Sequence, residues 1–224
     1  MPLHTTDALI LRTYKLGESD RIVVFLTRDR GKKRGVAKNA RQSRRRFGGA
    51  LEPLTYGRVG YVERERRDLV RLDYVEPIRS PLSIVGSAAP SAAAGGDDLA
   101  LGYVEYFAEL IDEWAPDADP NETLFRLGAS IVDAMAAGVA TEPLARYFEF
   151  WLLRLQGVYE ADPRLSGEAR EFLERARSLS PFALDGVAVS PRALRELEGS
   201  HRALIAMHLE KELKSVRVLK GMRR

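Results

Sequence analysis

The chain has 224 residues, 45% hydrophobic and 30% charged, a globular composition of a length suited to one large domain or two small ones. It has no cysteine, which excludes disulfides, thiol catalysis and cysteine-ligated zinc, and the opening MPLHTTDALILRTY lacks the order of a signal peptide, so a cytoplasmic protein is expected. The net charge of +3 hides an asymmetry: residues 1–80 hold 19 Lys or Arg against 10 acids, residues 97–125 hold nine acids and no Lys or Arg, and residues 211–224 turn basic again. Such a division suggests nucleic acid on the basic side and another partner, or plain solvation, on the acidic side.

Residues 6–15 read as a strand, with Ala8, Ile10 and Arg12 alternating against Leu9, Leu11 and Thr13. Leu16 to Asp20 is a turn, and residues 21–27 (RIVVFLT) form a nearly continuous apolar strand expected to be buried on both faces. A third strand fits 32–38, with Val36 as its inward side chain. The fourth and fifth fit 54–62 and 69–75 around a charged hairpin loop at 63–68, and Pro77 and Pro81 end the pattern. Short strands in series, with no helical crossover between them, predict a small closed or nearly closed barrel; an SH3-like barrel competes, since strand number does not fix connectivity.

A short helix at about 80–85 and a small-residue linker at 86–98 follow. From Leu99 the period becomes helical. Tyr103, Phe107, Leu110 and Trp114 lie on one face, and Pro116 stops the helix. Asp119-Pro120 is expected to start the second helix and Gly138 to end it; Thr141 is expected to cap a third that stops at Gly157. Shorter helices fit 168–178 and 191–198, and a longer one runs from His201 to Leu213.

The chemistry-bearing stretch is RDRGKKRGVAKNARQSRRR, from Arg28 to Arg46. Its basic residues are Arg28, Arg30, Lys32, Lys33, Arg34, Lys38, Arg41, Arg44, Arg45 and Arg46, against the single acid Asp29. Charge this dense repels itself and is best accommodated against a polyanion. Phe47, directly after the arginines, is either a base-stacking ring or a plug for the barrel end. Catalytic machinery is missing: there is no phosphate-binding GxxxxGK[ST], no GxGxxG and no GxSxG. His201 and His208 lie seven apart without a third ligand between them, so no metal is expected, and paired acids such as Asp112-Glu113 are adjacent rather than facing.

Asp7-Ala8-Leu9-Ile10-Leu11-Arg12, Tyr14, Gly17-Glu18-Ser19-Asp20, Gly31-Lys32, Ala37-Lys38 and Arg44-Arg45-Arg46-Phe47 leading to Leu51-Glu52-Pro53 resemble the opening of the RecO DNA-repair proteins. Lys214-Ser215 with Arg217 and Leu219 resembles that family's closing signature. The resemblance implies an α+β protein, with an N-terminal five-stranded oligonucleotide/oligosaccharide-binding (OB) barrel at 1–78 and an all-α helical domain at 79–224. It implies a bacterial, nucleoid-associated recombination mediator without enzymatic activity or cofactor. Such a protein binds single- and double-stranded DNA, anneals complementary strands, works with RecR and helps RecA displace single-stranded-DNA-binding protein. The four cysteines carried by many members are missing from residues 158–187, so zinc does not carry over.

The expected DNA-binding residues are the ten cations and Phe47. Arg146, Arg154, Lys214 and Arg217 are expected to receive the acidic tail of single-stranded-DNA-binding protein between the third long helix and the C-terminal segment. The competing reading is an adaptor that recruits repair partners through its helices, with DNA contact secondary.

Overall fold

The computed structural model describes residues 2–63, 68–81 and 96–222. Most of the predicted 63–68 loop, and nearly all of the predicted 80–85 helix and 86–98 linker, lie outside the described residues. Strands β1 (Leu3–Leu16), β2 (Asp20–Thr27), β3 (Gly31–Ala37), β4 (Tyr56–Val62) and β5 (Leu69–Arg79) close into a barrel in the order β1-β2-β3-β5-β4. β1 pairs antiparallel with β2 and β4, while β3 and β5 run parallel, Arg34 to Ala37 beside Leu69 to Leu72. This is the OB order, and it settles the connectivity that strand number alone leaves open.

Alternation along β1 and β2 builds two cores at once. Ala8, Ile10, Val23 and Phe25 point into the barrel with Val59, Tyr61, Val70 and Leu72. Leu9, Leu11, Val24 and Leu26 point outward and join the core of the helices. Full burial of each such side chain is worth roughly 1.5–3 kcal/mol, so the shared layer fixes barrel and helices together. β2 is buried on both faces, as its apolar run predicts. Val36 departs from expectation: it pairs with Ile22 and Arg71, while Ala37 on the alternate register is buried in the barrel core. β5 also runs on through Pro77, which lies opposite Gly57 of β4 beyond the end of the pairing with β3 at Leu72. With one neighbouring strand there, the missing N–H breaks no second ladder.

The helices are α1 (Arg44–Phe47), α2 (Gly96–Trp114), α3 (Glu122–Ala136), α4 (Thr141–Leu155), α5 (Gly167–Ala176), α6 (Pro191–Leu209) and α7 (Lys214–Met222), with a 3-10 turn at Pro181–Gly186. α3 starts two residues later than predicted, because the cap is Asn121 rather than Asp119, its side chain accepting the Leu124 N–H at 3.0 Å. Thr141 lies inside the first turn of α4, and Ala140 holds the cap position without a side-chain bond. Gly199-Ser200 does not break α6, since Leu197, Glu198, His201 and Ile205 keep one buried face across it. The closing segment is itself a helix, α7, packed chiefly on α2.

Candidate nucleic-acid interface

Among the polar links that join the barrel to the helices, two meet at the end of α2: one through Gly31 and Lys32 of the basic run, the other through Arg12, outside it. At Gly31, φ is +67° and an added Cβ would lie 2.4 Å from the backbone of Asp119, so only glycine allows this approach. The Lys32 N–H donates to Pro116 O at 3.2 Å, and Lys32 O accepts from Ala118 N at 3.0 Å. The Lys32 side chain, 10% exposed, donates to Asp112 O at 2.7 Å and pairs with Asp112 and Asp117 at 3.4 and 3.5 Å. An ammonium at the carbonyl end of a helix is also favoured by the helix dipole. Arg12 makes the second link, at 2.8 Å from Asp112 and 3.4 Å from both Glu109 and Glu113. Burial acts to lower its pKa, but Asp112, Tyr14 and Glu109 outweigh that and raise it.

Lys33 is engaged too, 2.9 Å from Glu63, whose carboxyl that hydrogen bond holds below its ordinary range. Arg28 pairs with Glu122 at 3.0 Å and Arg30 lies 3.9 Å from Asp29, both on exposed surface. Lys32 and Lys33 therefore do not form the free DNA-facing charge expected of them: their ammonium groups already have carboxylate partners.

From the middle of β3 onward the surroundings differ. Arg34, Lys38 and Arg45 are exposed and make no ion pair among the described residues. Arg41 is exposed and donates to Glu18 O at 3.0 Å; Arg46 donates to Lys38 O at 2.6 Å. The side chain of Arg44 lies outside the described residues. The Gly-Glu-Ser-Asp turn shapes this end: Asp20 Oδ1 accepts from Asn39 N at 2.8 Å, and Ser19 O accepts from Arg41 N at 3.2 Å. Asn39 takes a left-handed φ of 54°, which asparagine tolerates. The turn and the β3–α1 loop thus form one scaffold for the cations.

Phe47 is a correction. It is 2% exposed, packs inside the barrel core and carries Arg46 over its ring at 5.0 Å. It plugs the barrel end and offers no open face for stacking. Tyr14 is the exposed ring instead, at 48%. It lines a cleft of 510 Å³ with Arg12, Arg21, Arg41, Phe47 and Lys214. Glu105 stands on the wall, its carboxyl pushed up by burial first, against the pull of Arg12. Arg21 and Tyr14 stand outside the DNA-binding set expected from the sequence. Their signal was their position, flanking the Gly17 turn that anchors the basic loop.

The expected peptide-binding set does not assemble. Arg146 is 2% exposed, and its guanidinium bonds Glu149 at 2.8 Å and approaches Glu198 at 3.8 Å. Glu149 also accepts from the Tyr106 hydroxyl at 2.6 Å and lies 3.0 Å from His201 Nδ1. Burial pushes the Glu149 carboxyl up, but Arg146, His201 and Tyr106 together hold it below the usual range. Arg154 is exposed but stacks on Phe150 and Trp151 at 5.4 and 5.7 Å. Arg217 pairs with Glu212 at 3.1 Å. Lys214 opens α7 on the barrel side, where Glu109 accepts from the N–H groups of Lys214 and Ser215 at 3.2 and 2.8 Å. α7 thus lies on the acid-bearing α2, not beside α4 as expected, because a carboxylate caps its N-terminus. Among the described residues, no three His, Asp or Glu side chains gather as metal ligands, and no helix is long and apolar enough to cross a membrane.

A closed OB barrel, basic at one end and fixed to a helical domain, defines the chain as an OB-barrel protein with a fused helical bundle. The Recombination protein O N-terminal family model matches residues 1–81 and its C-terminal counterpart residues 96–160, so the chain belongs to the RecO family of DNA repair proteins. The DNA repair protein RecO of Koribacter versatilis is 46% identical over 155 residues, and that of Anaeromyxobacter sp. (strain K) 40% over 162. These matches cover 69% and 72% of this chain but 59% of each relative. The RecO of Geobacter metallireducens is 32% identical, with 96% of both chains covered.

Proposed function

We propose that this chain is a non-enzymatic recombination mediator of the bacterial cytoplasm and nucleoid. It binds single- and double-stranded DNA through the barrel, residues 1–78, and anneals complementary strands. With RecR, it helps load RecA onto strands covered by single-stranded-DNA-binding protein. The observation that carries this reading is a group of exposed cations on an OB barrel, Arg34 midway along β3 and Lys38 and Arg45 beyond its Ala37 end, which make no ion pair among the described residues. Cations of this kind screen the repulsion between two phosphate backbones and release counterions, so strands approach and bases find partners. Phosphate contacts carry no base information, so affinity is independent of sequence. The test is annealing of complementary labelled strands, with affinity measured across a salt series. Annealing above the spontaneous rate and a steep salt slope support the reading; a flat slope overturns it.

The helical part, residues 79–224, receives the acidic tail of single-stranded-DNA-binding protein in this reading. A groove of 340 Å³ between α6 and α7 supports this: Ile205, Leu213 and Val216 form an apolar floor, and Arg202, Lys211 and Lys220 stand at the rim, where an acidic tail would exchange with their present partners Glu198, Glu113 and Glu212. Charge reversal at Lys211 and Lys220 abolishes tail-peptide binding and spares oligonucleotide binding if the groove is the site.

A further inference from the structure

We infer that the cleft between the barrel end and α7 takes one unpaired nucleotide of a single strand, with its base on Tyr14. This rests on the DNA-binding reading and deepens it, because it separates single strands from duplex.

The outer faces of β1 and β2, where an extended strand could otherwise lie across the barrel, are occupied. Leu9, Leu11, Val24 and Leu26 are buried there against helices. The barrel end beside them is open to a strand. The cleft at that end is 510 Å³, within the range that encloses a small organic group. Its lining is mixed in a particular way. Tyr14 supplies a ring nearly half exposed. Arg21, Arg41 and Lys214 supply cations from three separate parts of the chain and make no ion pair among the described residues. Glu52 and Glu105 supply acceptors.

An apolar ligand has no reason to choose so polar a wall, and a continuous run of phosphates is repelled by the two acids. A nucleotide satisfies all three components. Its base has a π-face for Tyr14 and amine or imide donors for the carboxylates, and its flanking phosphates suit the cations. A base within a duplex is stacked on both sides and cannot enter without being flipped. Arg12, also on the wall, is held by Asp112, Glu109 and Glu113, and acts as a fixed edge rather than a phosphate ligand.

The cleft also explains why the two basic ends of the sequence belong together. Lys214 starts α7 close to the barrel because Glu109 of α2 caps that helix. Burial pushes the Glu109 carboxyl up, but hydrogen bonds from Ser215 and the Lys214 N–H hold it below the usual range. The cap therefore stays ionised and keeps Lys214 in place at neutral pH.

The test compares the wild-type chain with Tyr14→Ala and Tyr14→Phe on an oligothymidine, an abasic strand of equal length and a blunt duplex, at one salt concentration. Tyr14→Ala is expected to weaken oligothymidine binding about 5- to 150-fold, the range for one stacked base. Tyr14→Phe should retain it, and affinities for the abasic strand and the duplex should not change. If Tyr14→Ala leaves the ratio of oligothymidine to duplex affinity unchanged while both still bind, the cleft assignment is wrong and DNA binding stands. If the wild-type chain binds none of the three, the DNA-binding reading itself fails. Tyr14 belongs to neither hydrophobic core, so the alanine variant should fold, and its melting temperature checks this.

Discussion

The basic run is continuous in sequence, yet β3 divides it into two groups with different surroundings. At the Gly31 end, Lys32 and Lys33 lie against Asp112, Asp117 and Glu63, and the lysine backbone is bonded to the chain after α2. Arg34 at mid-strand, and Lys38 and Arg45 beyond the Ala37 end, stand in solvent without ion pairs among the described residues. Acids distant in sequence cause the difference: α2 and the segment after it reach Lys32, and Glu63, just past β4, reaches Lys33. Charge density along a sequence shows where cations are; it does not show which ones a distant acidic helix has already neutralised. That distinction separates cations that hold the protein together from cations left for a ligand.

Arg146 is the extreme case of an internally neutralised cation and should show the largest effect. Removing it by Arg146→Ala leaves Glu149 buried without its main partner, and loss of about 3–5 kcal/mol is expected in urea unfolding. Acid titration gives the same answer from the other side. The folded-state pKa of Glu149 is depressed, so its contribution is present above the ordinary carboxylate value and is lost as pH falls through the folded value. A Glu149→Gln variant should show a flatter loss of stability on that acid limb. If Arg146→Ala costs nothing and abolishes tail-peptide binding, Arg146 belongs to the other class after all.

The Gly31 link comes next. Gly31→Ala places a side chain at positive φ, a strain of roughly 1–3 kcal/mol, and adds the clash with Asp119. Lys32→Met keeps the stem and removes the charge, with an expected loss of about 1.5–3 kcal/mol for a hydrogen bond from a charged group. In both variants, thermal melting should shift while the salt slope of DNA binding stays put. A slope that falls by roughly 0.7 in Lys32→Met would assign that lysine to phosphate and break the comparison.

Much of this architecture was legible in the sequence because it rests on local period. The apolar run of β2, the helical spacing of Tyr103, Phe107 and Leu110, and the Gly138 and Gly157 stops are each set by near neighbours, and they stand where the pattern puts them. The site was less legible because it depends on residues far apart. Lys32 meets Asp112 across eighty positions and Glu109 caps α7 across more than a hundred, separations on which periodicity is silent. Phe47 and Arg146 were misplaced for one reason: an aromatic after arginines, or an arginine on a helix, looks the same in sequence whether it faces water or the core. Arg146 lies on the buried face of α4 with Phe150 and Leu153, and that alignment was the available clue.

The smallest change in stability is expected for Arg34, Lys38 and Arg45 together, and it is the measurement that decides the comparison. Replacing all three with Ala removes charges that touch no acid among the described residues, so unfolding free energy should change by no more than about 0.5 kcal/mol per site. Relief of mutual repulsion could even make the change favourable. Affinity for single strands should nonetheless fall for every sequence alike, and the log–log salt slope should decrease by about 2, at roughly 0.7 for each lost phosphate contact. Arg41 and Arg46 are left in place because their bonds to Glu18 O and Lys38 O shape the loop, and their loss would mix folding with binding. A variant as stable as the wild type with an undiminished slope would show that these exposed cations are solvated surface and that the phosphates lie elsewhere. A variant that loses stability in step with affinity would show that these cations are structural as well, and the two groups would no longer differ in kind.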